Sequence, residues 1–422
     1  MEHFTAPNIT LAFIVALAAS TTLRFWLVQR QSHHIAAHRA SVPAAFADRI
    51  ELSAHQKAAD YSQAKLNVSR VDLASGVIVL LALTLGGGLQ WLSDFWTAYF
   101  SVDTLWHGVA LILSVMFLTS LIDLPLTLYR TFVIEARFGF NRTTIGMFIA
   151  DTLRSALVGL VLGVPLLVGV LWLMAQMGEV WWLYVWLTWV GFNLLVLMIY
   201  PTFIAPLFNK FSPLQDPVLA ERINALLTRC GFRAQGLYVM DGSRRSSHGN
   251  AYFTGFGAAK RIVLFDTLIA RLEPHEIEAV LAHELGHFHR HHVWKRIAML
   301  FAGSLVLLWV LGQLMHAPGF FAGLNVQTQS TGMALLLFFM VLPVFTYFLQ
   351  PLMSLYSRKH EFEADAYAAT HTSGAALAHA LVKLYQDNAA TLTPDPLHSA
   401  FYDSHPPAGI RINRLQTLGQ PS

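Results

Sequence analysis

The sequence predicts a mainly α-helical integral membrane protein, in which a bundle of seven helices carries polar segments with a small β-sheet. Of its 422 residues, 55% are hydrophobic and 13% are charged, and a soluble domain carries about twice that charge. Seven stretches have the roughly 20 apolar residues with which a helix crosses a bilayer. The polar segments 209–295 and 357–422 lack the low-complexity composition of linkers. We therefore expect both segments to fold.

The seven predicted spans form two groups, five before the first polar segment and two after it. They are 7–29, 72–93, 106–128, 156–177, 180–203, 297–316 and 333–354. The first has no positively charged region before it, so we expect a retained span rather than a cleaved signal peptide. The predicted organisation is 1–208 with five spans, 209–295 polar, 296–356 with two spans, and 357–422 polar.

Among the connections between these spans, lysine and arginine occur only in alternate ones. The connections 94–105 and 317–332 contain neither residue. The connection between the fourth and fifth spans is only two residues long and also lacks both, and the remaining connections are basic. By the positive-inside rule, the N-terminus and the two Lys/Arg-free connections lie outside. We expect these segments to be cytoplasmic: 30–70, 130–154, 209–296 and 357–422.

Composition excludes several classes of function. The single cysteine, Cys230, rules out an internal disulfide and a cysteine-rich zinc module. A formal net charge of +3, without a basic stripe interleaved with aromatics, gives no indication of nucleic-acid binding.

The first polar segment contains signals for strands and for one helix. The runs "GLYVMDGS" (236–243) and "RIVLFDTLI" (261–269) are typical of strands. Between them, "SSHGNAYFTGFG" (246–257) suits an edge strand or a loop. From Glu273 and Pro274 onward, apolar residues recur at helical spacing, and proline fits the first helical turn.

The predicted helix contains "HELGH", in which two histidines four positions apart project from one face. His283 and His287 can therefore reach a single tetrahedral zinc ion, and Glu284 is placed to take a proton from a metal-bound water. This HExxH spacing indicates a hydrolytic metal site with two ligands and a general base.

Three further histidines, His289, His291 and His292, follow near the end of the helix and beside basic residues. We interpret them as a surface-facing basic cluster at the membrane interface rather than as ligands. A third histidine ligand six residues after His287 is excluded because that position is Val293.

The best candidate for the third ligand lies after the seventh span, in "SRKHEFEADAYAA" (357–369), which has the composition of a helix. Glu361 and Asp365 are four apart on one face. An acidic face in contact with solvent is the alternative, but beside HExxH we expect Glu361 to complete a His2Glu site. Asp365 would then orient a ligand histidine through its free ring nitrogen.

The combination of seven spans, "HELGH", "EFEAD", "SSHGNAYFTGFG" and "DSHPP" resembles the type 1 CAAX prenyl proteases, which are integral-membrane gluzincin metalloproteases. The resemblance extends to 42–65, 124–144 and 204–214. It implies a helical chamber in the membrane, one zinc ion per chain at its cytoplasmic side, and removal of a tripeptide after a prenylated cysteine.

The resemblance also implies roles for individual residues. His283, His287 and Glu361 would be the ligands and Glu284 the base. Asn250 and Ala251 would hold the substrate backbone as an added strand. His405 would face the reacting carbonyl, and Arg411 would help to hold the peptide.

Around Arg411 the sequence departs from the family pattern, because Ile410 stands where an acidic residue is usual. Arg414 therefore remains an alternative for Arg411. Taken without the resemblance, Asn250 could be an ordinary turn residue, and His405 could be a helix N-terminal residue before two prolines.

The expected partners are a peptide or protein substrate, prenylated or not, and membrane lipid. One rival function is a quality-control protease that clips membrane proteins without prenyl specificity. A transporter or channel with a structural zinc is a rival of another class, which the low charge of the spans disfavours. The end "LGQPS" lacks a retrieval signal, which favours a bacterial inner membrane over the endoplasmic reticulum.

Overall fold

In the computed structural model, which describes residues 5–102, 104–254 and 260–418, seven helices are long and apolar enough to cross a membrane. Their number and order agree with the seven predicted spans. The helices are Ala6–His38, Leu52–Leu83, Leu105–Glu135, Ile145–Gln176, Gly178–Phe208, His292–Leu314 and Thr331–His371.

Seven α-helices make up the N-terminal part of the chain, two of them extended by π-helical turns at Arg130–Glu135 and Tyr200–Ile204. They are α1 (Ala6–His38), α2 (Leu52–Leu83), α3 (Gly88–Thr97), α4 (Leu105–Tyr129), α5 (Ile145–Gln176), α6 (Trp181–Ile199) and α7 (Ala205–Phe208).

The predicted span 72–93 is wrong as a single helix. Helix α2 starts twenty residues earlier and ends at Leu83, and the separate helix α3 begins at Gly88. Thr84, Leu85 and two glycines separate them, and Gly87 has a φ of +78°, a conformation that glycine adopts without steric cost.

In its described residues, the first polar segment folds into four strands and three α-helices. They are β1 (Phe211–Pro213), α8 (Pro217–Arg229), β2 (Gly236–Met240), β3 (Ala251–Thr254), β4 (Arg261–Phe265), α9 (Asp266–Ile269) and α10 (Pro274–His289). The strand order is β1-β2-β4-β3, with β2 parallel to β4 and the other pairs antiparallel. Strand β3 therefore forms one edge, as predicted, while residues 255–257 of the predicted motif lie outside the described residues.

Seven α-helices make up the rest of the described chain. They are α11 (His292–Leu314), α12 (Pro318–Ala322), α13 (Thr331–Thr346), α14 (Gln350–His371), α15 (Gly374–Asp387), α16 (Pro396–Tyr402) and α17 (Ala408–Leu418). A single 3-10 turn joins α13 to α14. Helix α14 runs through the predicted boundary at residue 357, so the seventh span leads directly into the helix of Glu361.

Two hydrophobic cores occupy opposite ends of the long helices. One packs the sheet against α8, α10, α14, α15 and α17, and the other joins the far ends of α1, α4, α5, α11 and α13. Between them lies a cavity of about 1270 Å³, lined by residues of both ends, such as Leu17 and Leu381. This cavity agrees with the chamber that the resemblance implies.

Polar faces of α1 and α2 turn toward the cavity. Arg24, Lys65 and Asp72 line it, together with Asp123 of α4. Charged side chains in membrane helices are stabilised by facing a wet interior rather than lipid.

Candidate metal centre and active site

Helix α10 begins with a local structure that the sequence encodes. Glu273 is the N-cap and Pro274 the first helical residue, and the side chain of Glu276 accepts a 2.9 Å hydrogen bond from the backbone N–H of Glu273. Such a reciprocal cap satisfies amides that have no partner inside the helix. The cap fixes the start of α10 within the core of the polar domain.

Gly286 allows α14 to pack directly on α10. A Cβ at this position would lie 2.9 Å from Cα of Ala364 and 3.1 Å from Cβ of Tyr367. Because α14 carries Glu361 three residues before Ala364, this close approach brings Glu361 over the two histidines of α10.

The three predicted ligands converge on one point. Nε2 of His283 and Nε2 of His287 are 3.3 Å apart, and Glu361 places one carboxylate oxygen 3.4 Å from the first nitrogen and the other 3.3 Å from the second. Tetrahedral ligands about 2.0–2.1 Å from a zinc ion would be about 3.3–3.4 Å from each other. All three residues are buried.

The ring nitrogens facing away from this point lie against other side chains. Asp365 Oδ1 lies 2.9 Å from Nδ1 of His283, and Nδ1 of His292 lies 3.0 Å from Nδ1 of His287. Both Nε2 atoms therefore remain for a metal. Glu361 Oε2 is buried and has no hydrogen-bond partner within the described parts of the chain, so the donor set fits a bound cation.

Glu284 follows His283 on α10 and is partly buried. Burial raises the pKa of its carboxyl above the ordinary value, and the neighbouring His283 and His287 act in the opposite direction. A carboxyl group with a raised pKa is a better proton acceptor at neutral pH, as a general base requires.

Arg411 forms a two-point ion pair with Asp365. Its Nε and Nη2 donate to the two carboxylate oxygens at 2.9 and 2.6 Å, and its Nη1 lies 3.7 Å from Glu361 Oε2. The arginine is 4% exposed and lines the cavity. Arg411 therefore binds the carboxylate of Asp365, which in turn contacts Nδ1 of His283.

Arg414, the alternative to Arg411, points elsewhere. It is exposed, and its guanidinium lies 4.6 Å above the ring of Phe362. Of the two arginines, Arg411 is therefore the one in the site.

His405 lies in the loop before α17, with Nε2 3.4 Å from Glu361 Oε2 and Nδ1 3.0 Å from the hydroxyl of Ser404. Its side chain is 57% exposed, but this exposure is toward the cavity that it lines. Burial of the ring within the protein lowers its pKa, against the effect of Glu361. The imidazole is therefore neutral at pH 7 and carries one N–H.

Asn250 and Ala251 lie at the start of edge strand β3. The Asn250 side chain accepts a 2.8 Å hydrogen bond from the Ala251 amide, and its carbonyl accepts one of 3.0 Å from Phe265. A second cavity of about 540 Å³ is lined by Asn250 and His248. In the described sheet, β3 pairs with β4 alone, which leaves its other edge for a peptide.

The interpretation of three histidines as a surface cluster is wrong for His292. His289 and His291 are exposed, but His292 is 0% exposed and contacts the ligand His287. The physical reason is the backbone of His291, whose φ of +57° turns the chain sharply between α10 and α11. Spacing within a helix cannot indicate this reversal.

Two histidines and a glutamate on facing helices, with a glutamate base between the histidines, define a metallopeptidase centre of the HExxH class. Here the centre is built onto a multi-pass membrane bundle.

Comparison with known proteins agrees with this class. Residues 31–210 match the model of the CAAX prenyl protease N-terminal domain with five membrane helices, and residues 213–418 match that of peptidase family M48. The chain therefore belongs to peptidase family M48 and is a membrane metalloprotease.

Individual relatives cover most of the chain. CAAX prenyl protease 1 of Saccharomyces cerevisiae is 30% identical, over 98% of this chain and 97% of the relative. The human CAAX prenyl protease 1 homolog is 33% identical over 74% of each chain. The crystal structure of S. mikatae Ste24p superposes with a TM-score of 0.89 at 30% identity, over 97% of this chain and 99% of that one.

Proposed function

We propose that this metalloprotease is a zinc-dependent endopeptidase in which His283, His287 and Glu361 hold one zinc ion and Glu284 is the general base. The observation that carries the proposal is the buried cluster of donor atoms, in which the two Nε2 atoms lie 3.3 Å apart and each lies 3.3–3.4 Å from a carboxylate oxygen of Glu361. A bound zinc ion would supply Lewis acidity, which polarises the scissile carbonyl and lowers the pKa of water to about 7.

The remaining chemistry belongs to side chains of this protein. Glu284 takes a proton from the attacking water and later delivers it to the leaving amine, and its burial suits both steps. His405, neutral and close to Glu361, donates its N–H to the oxygen on which negative charge develops. Asp365 and Arg411 keep His283 in the orientation that directs its Nε2 into the site.

The peptide substrate is expected to bind beside β3. The unpaired edge of that strand offers backbone groups to an extended chain, and Ala251 begins the strand directly after Asn250. Antiparallel addition would place the C-terminal end of the peptide near Asn250.

We infer that the substrates are C-terminal CAAX sequences with a prenylated cysteine, from which a tripeptide is removed. The names of the relatives support this substrate class. Lysine and arginine occur only on one side of the predicted bundle and support an active site that faces the cytoplasm.

A second candidate is quality-control proteolysis without prenyl specificity. The observation that favours it is the size of the main cavity, about 1270 Å³, which exceeds what a tripeptide requires. Both candidates use the same centre and differ only in substrate.

The experiment offers purified protein a farnesylated CAAX peptide and its unprenylated twin, each with and without a zinc chelator, and identifies products by mass spectrometry. We expect the farnesylated peptide to lose its last three residues and the chelator to abolish cleavage. Cleavage that survives complete removal of metal would contradict the zinc mechanism. Equal cleavage of the unprenylated peptide would contradict prenyl specificity and favour quality-control proteolysis.

A further inference from the structure

A buried pair of histidines lies behind the metal centre, on the Nδ1 side of the ligand His287. His292 is 0% exposed and His360 is 2% exposed. Their rings stack with centroids 3.9 Å apart and an angle of 9°. His292 begins α11, while His360 precedes the predicted ligand Glu361 on α14.

His292 connects the ligand His287 to a carboxylate. Its Nδ1 lies 3.0 Å from Nδ1 of His287, and its Nε2 lies 2.9 Å from Oε2 of Glu363. Both nitrogens of His292 are therefore occupied, one on each side of the ring.

These contacts fix which nitrogen of each ring carries a proton. A carboxylate accepts hydrogen bonds, so Nε2 of a neutral His292 donates to Glu363 and its Nδ1 is an acceptor. That acceptor requires the proton of His287 on Nδ1, which leaves the lone pair of Nε2 for a metal. The charge of Glu363 thus determines, through one intervening ring, which atom of His287 is available as a ligand.

The surrounding contacts keep the intervening ring in place. The stacked ring of His360 covers one face of His292, and the edge of Tyr356 meets His360 with ring centroids 4.3 Å apart. The left-handed backbone of His291 brings His292 back toward α10. The His287–His292–Glu363 chain is therefore built from α10, α11 and α14.

We infer that His292 is a positioning residue for the metal ligand His287, and that Glu363 fixes the tautomer of His292. The inference rests on the proposed function, because it concerns the orientation of a zinc ligand. Partners of ligand histidines contribute about 10–100-fold in metal affinity, and we expect His292 to lie in this range.

The test measures zinc affinity of the full-length protein in detergent, by competition with a chromophoric chelator and without any peptide. We expect His292→Ala to weaken zinc binding about 10–100-fold and Glu363→Gln to weaken it less, because the amide still accepts a hydrogen bond. His292→Gln, which retains an acceptor, should recover part of the loss. His289→Ala is the matched control, since His289 is an exposed histidine on α10, the helix of the ligand His287, and should bind zinc as the unmodified protein does.

A spectroscopic readout separates positioning from general stability. In the cobalt-substituted protein, His292→Ala and Glu363→Gln should shift the visible absorption bands, whereas His289→Ala should not. Thermal unfolding of the metal-free proteins shows whether each variant folds. If His292→Ala does not fold, His292→Gln and Glu363→Gln still provide the test.

Unchanged zinc affinity and an unchanged cobalt spectrum in folded variants would overturn the inference. If the unmodified protein binds zinc at another site or not at all, the proposed function fails instead. The two failures are therefore distinguishable within one set of titrations.

Discussion

At the scale of single residues, the metal centre is defined by side chains that hold other side chains. His283 is held by Asp365, which is held by Arg411, and His287 is held by His292. Removing Asp365 or His292 therefore leaves a buried ring nitrogen without a hydrogen-bond partner. This loss lowers the unfolding free energy by more than the contact itself contributes to it.

Glu361→Ala should sharply reduce zinc occupancy, because two histidines alone provide an incomplete site. The measurement is zinc per chain by elemental analysis after dialysis, with Glu221→Ala, an exposed glutamate on α8, as control. Near-full occupancy in Glu361→Ala would mean that another residue is the third ligand.

Glu284→Gln should keep the fold and the zinc but lose nearly all proteolysis, because the amide cannot accept the proton of the attacking water. General-base catalysis contributes about 10²–10⁴-fold, and a fluorogenic peptide assay covers this range. Normal turnover by the glutamine variant would exclude Glu284 as the base.

Sequence could predict the residues that act through local spacing. His283, Glu284 and His287 lie within one helical turn, so their common position follows from helix geometry alone. The position of His292 could not be predicted, because it depends on a left-handed residue between two helices and on packing against α14. The pairing of Arg411 with Asp365 likewise joins elements that are distant in sequence.

At the scale of elements, the close contact of α10 and α14 determines whether the ligands meet. Gly286→Ala places a methyl group 2.9 Å from the backbone of Ala364, so the helices must separate. We expect a loss of about 1–3 kcal/mol in unfolding free energy, measured by thermal or denaturant unfolding, together with reduced zinc occupancy.

Gly303→Ala is the matched control for this prediction. Gly303 is a helical glycine on α11, and outside its chain neighbours and its own helix backbone no atom of the described residues lies within 4 Å of a Cβ added there. Alanine should be neutral or slightly stabilising at this position. Equal effects of both substitutions would show that the contact of α10 with α14 is not responsible.

Element boundaries were the least predictable feature of the fold. Apolar length indicated the seven spans, but hydropathy could not show that the glycines after Thr84 end α2. Nor could it show that α14 continues from the seventh span into the polar domain. Length and hydropathy describe burial in lipid, whereas these boundaries depend on backbone conformation and packing.

At the scale of the whole molecule, the two halves of the centre can meet only if an even number of spans separates them. The HExxH helix precedes α11 and Glu361 follows α13, so two spans lie between. The cavity between the two hydrophobic cores then opens toward the metal centre through His405 and Arg411.

Single cysteines at Ser101, Gln327 and Ser247, in a Cys230→Ser background, test this topology. An impermeant thiol reagent on intact cells should label the first two positions and spare Ser247, because basic segments stay in the cytoplasm. Permeabilised cells provide the control in which Ser247 becomes labelled. Labelling of Ser247 from outside, or labelling of Gln327 only after permeabilisation, would contradict the arrangement.

The most direct measurement of the central claim is anomalous X-ray scattering at the zinc edge from crystals of the full-length protein. We predict one peak per chain, about 2.0–2.1 Å from Nε2 of His283, from Nε2 of His287 and from a carboxylate oxygen of Glu361. A peak between His292, His360 and Glu363 instead, or no peak in crystals of active protein, would contradict the account.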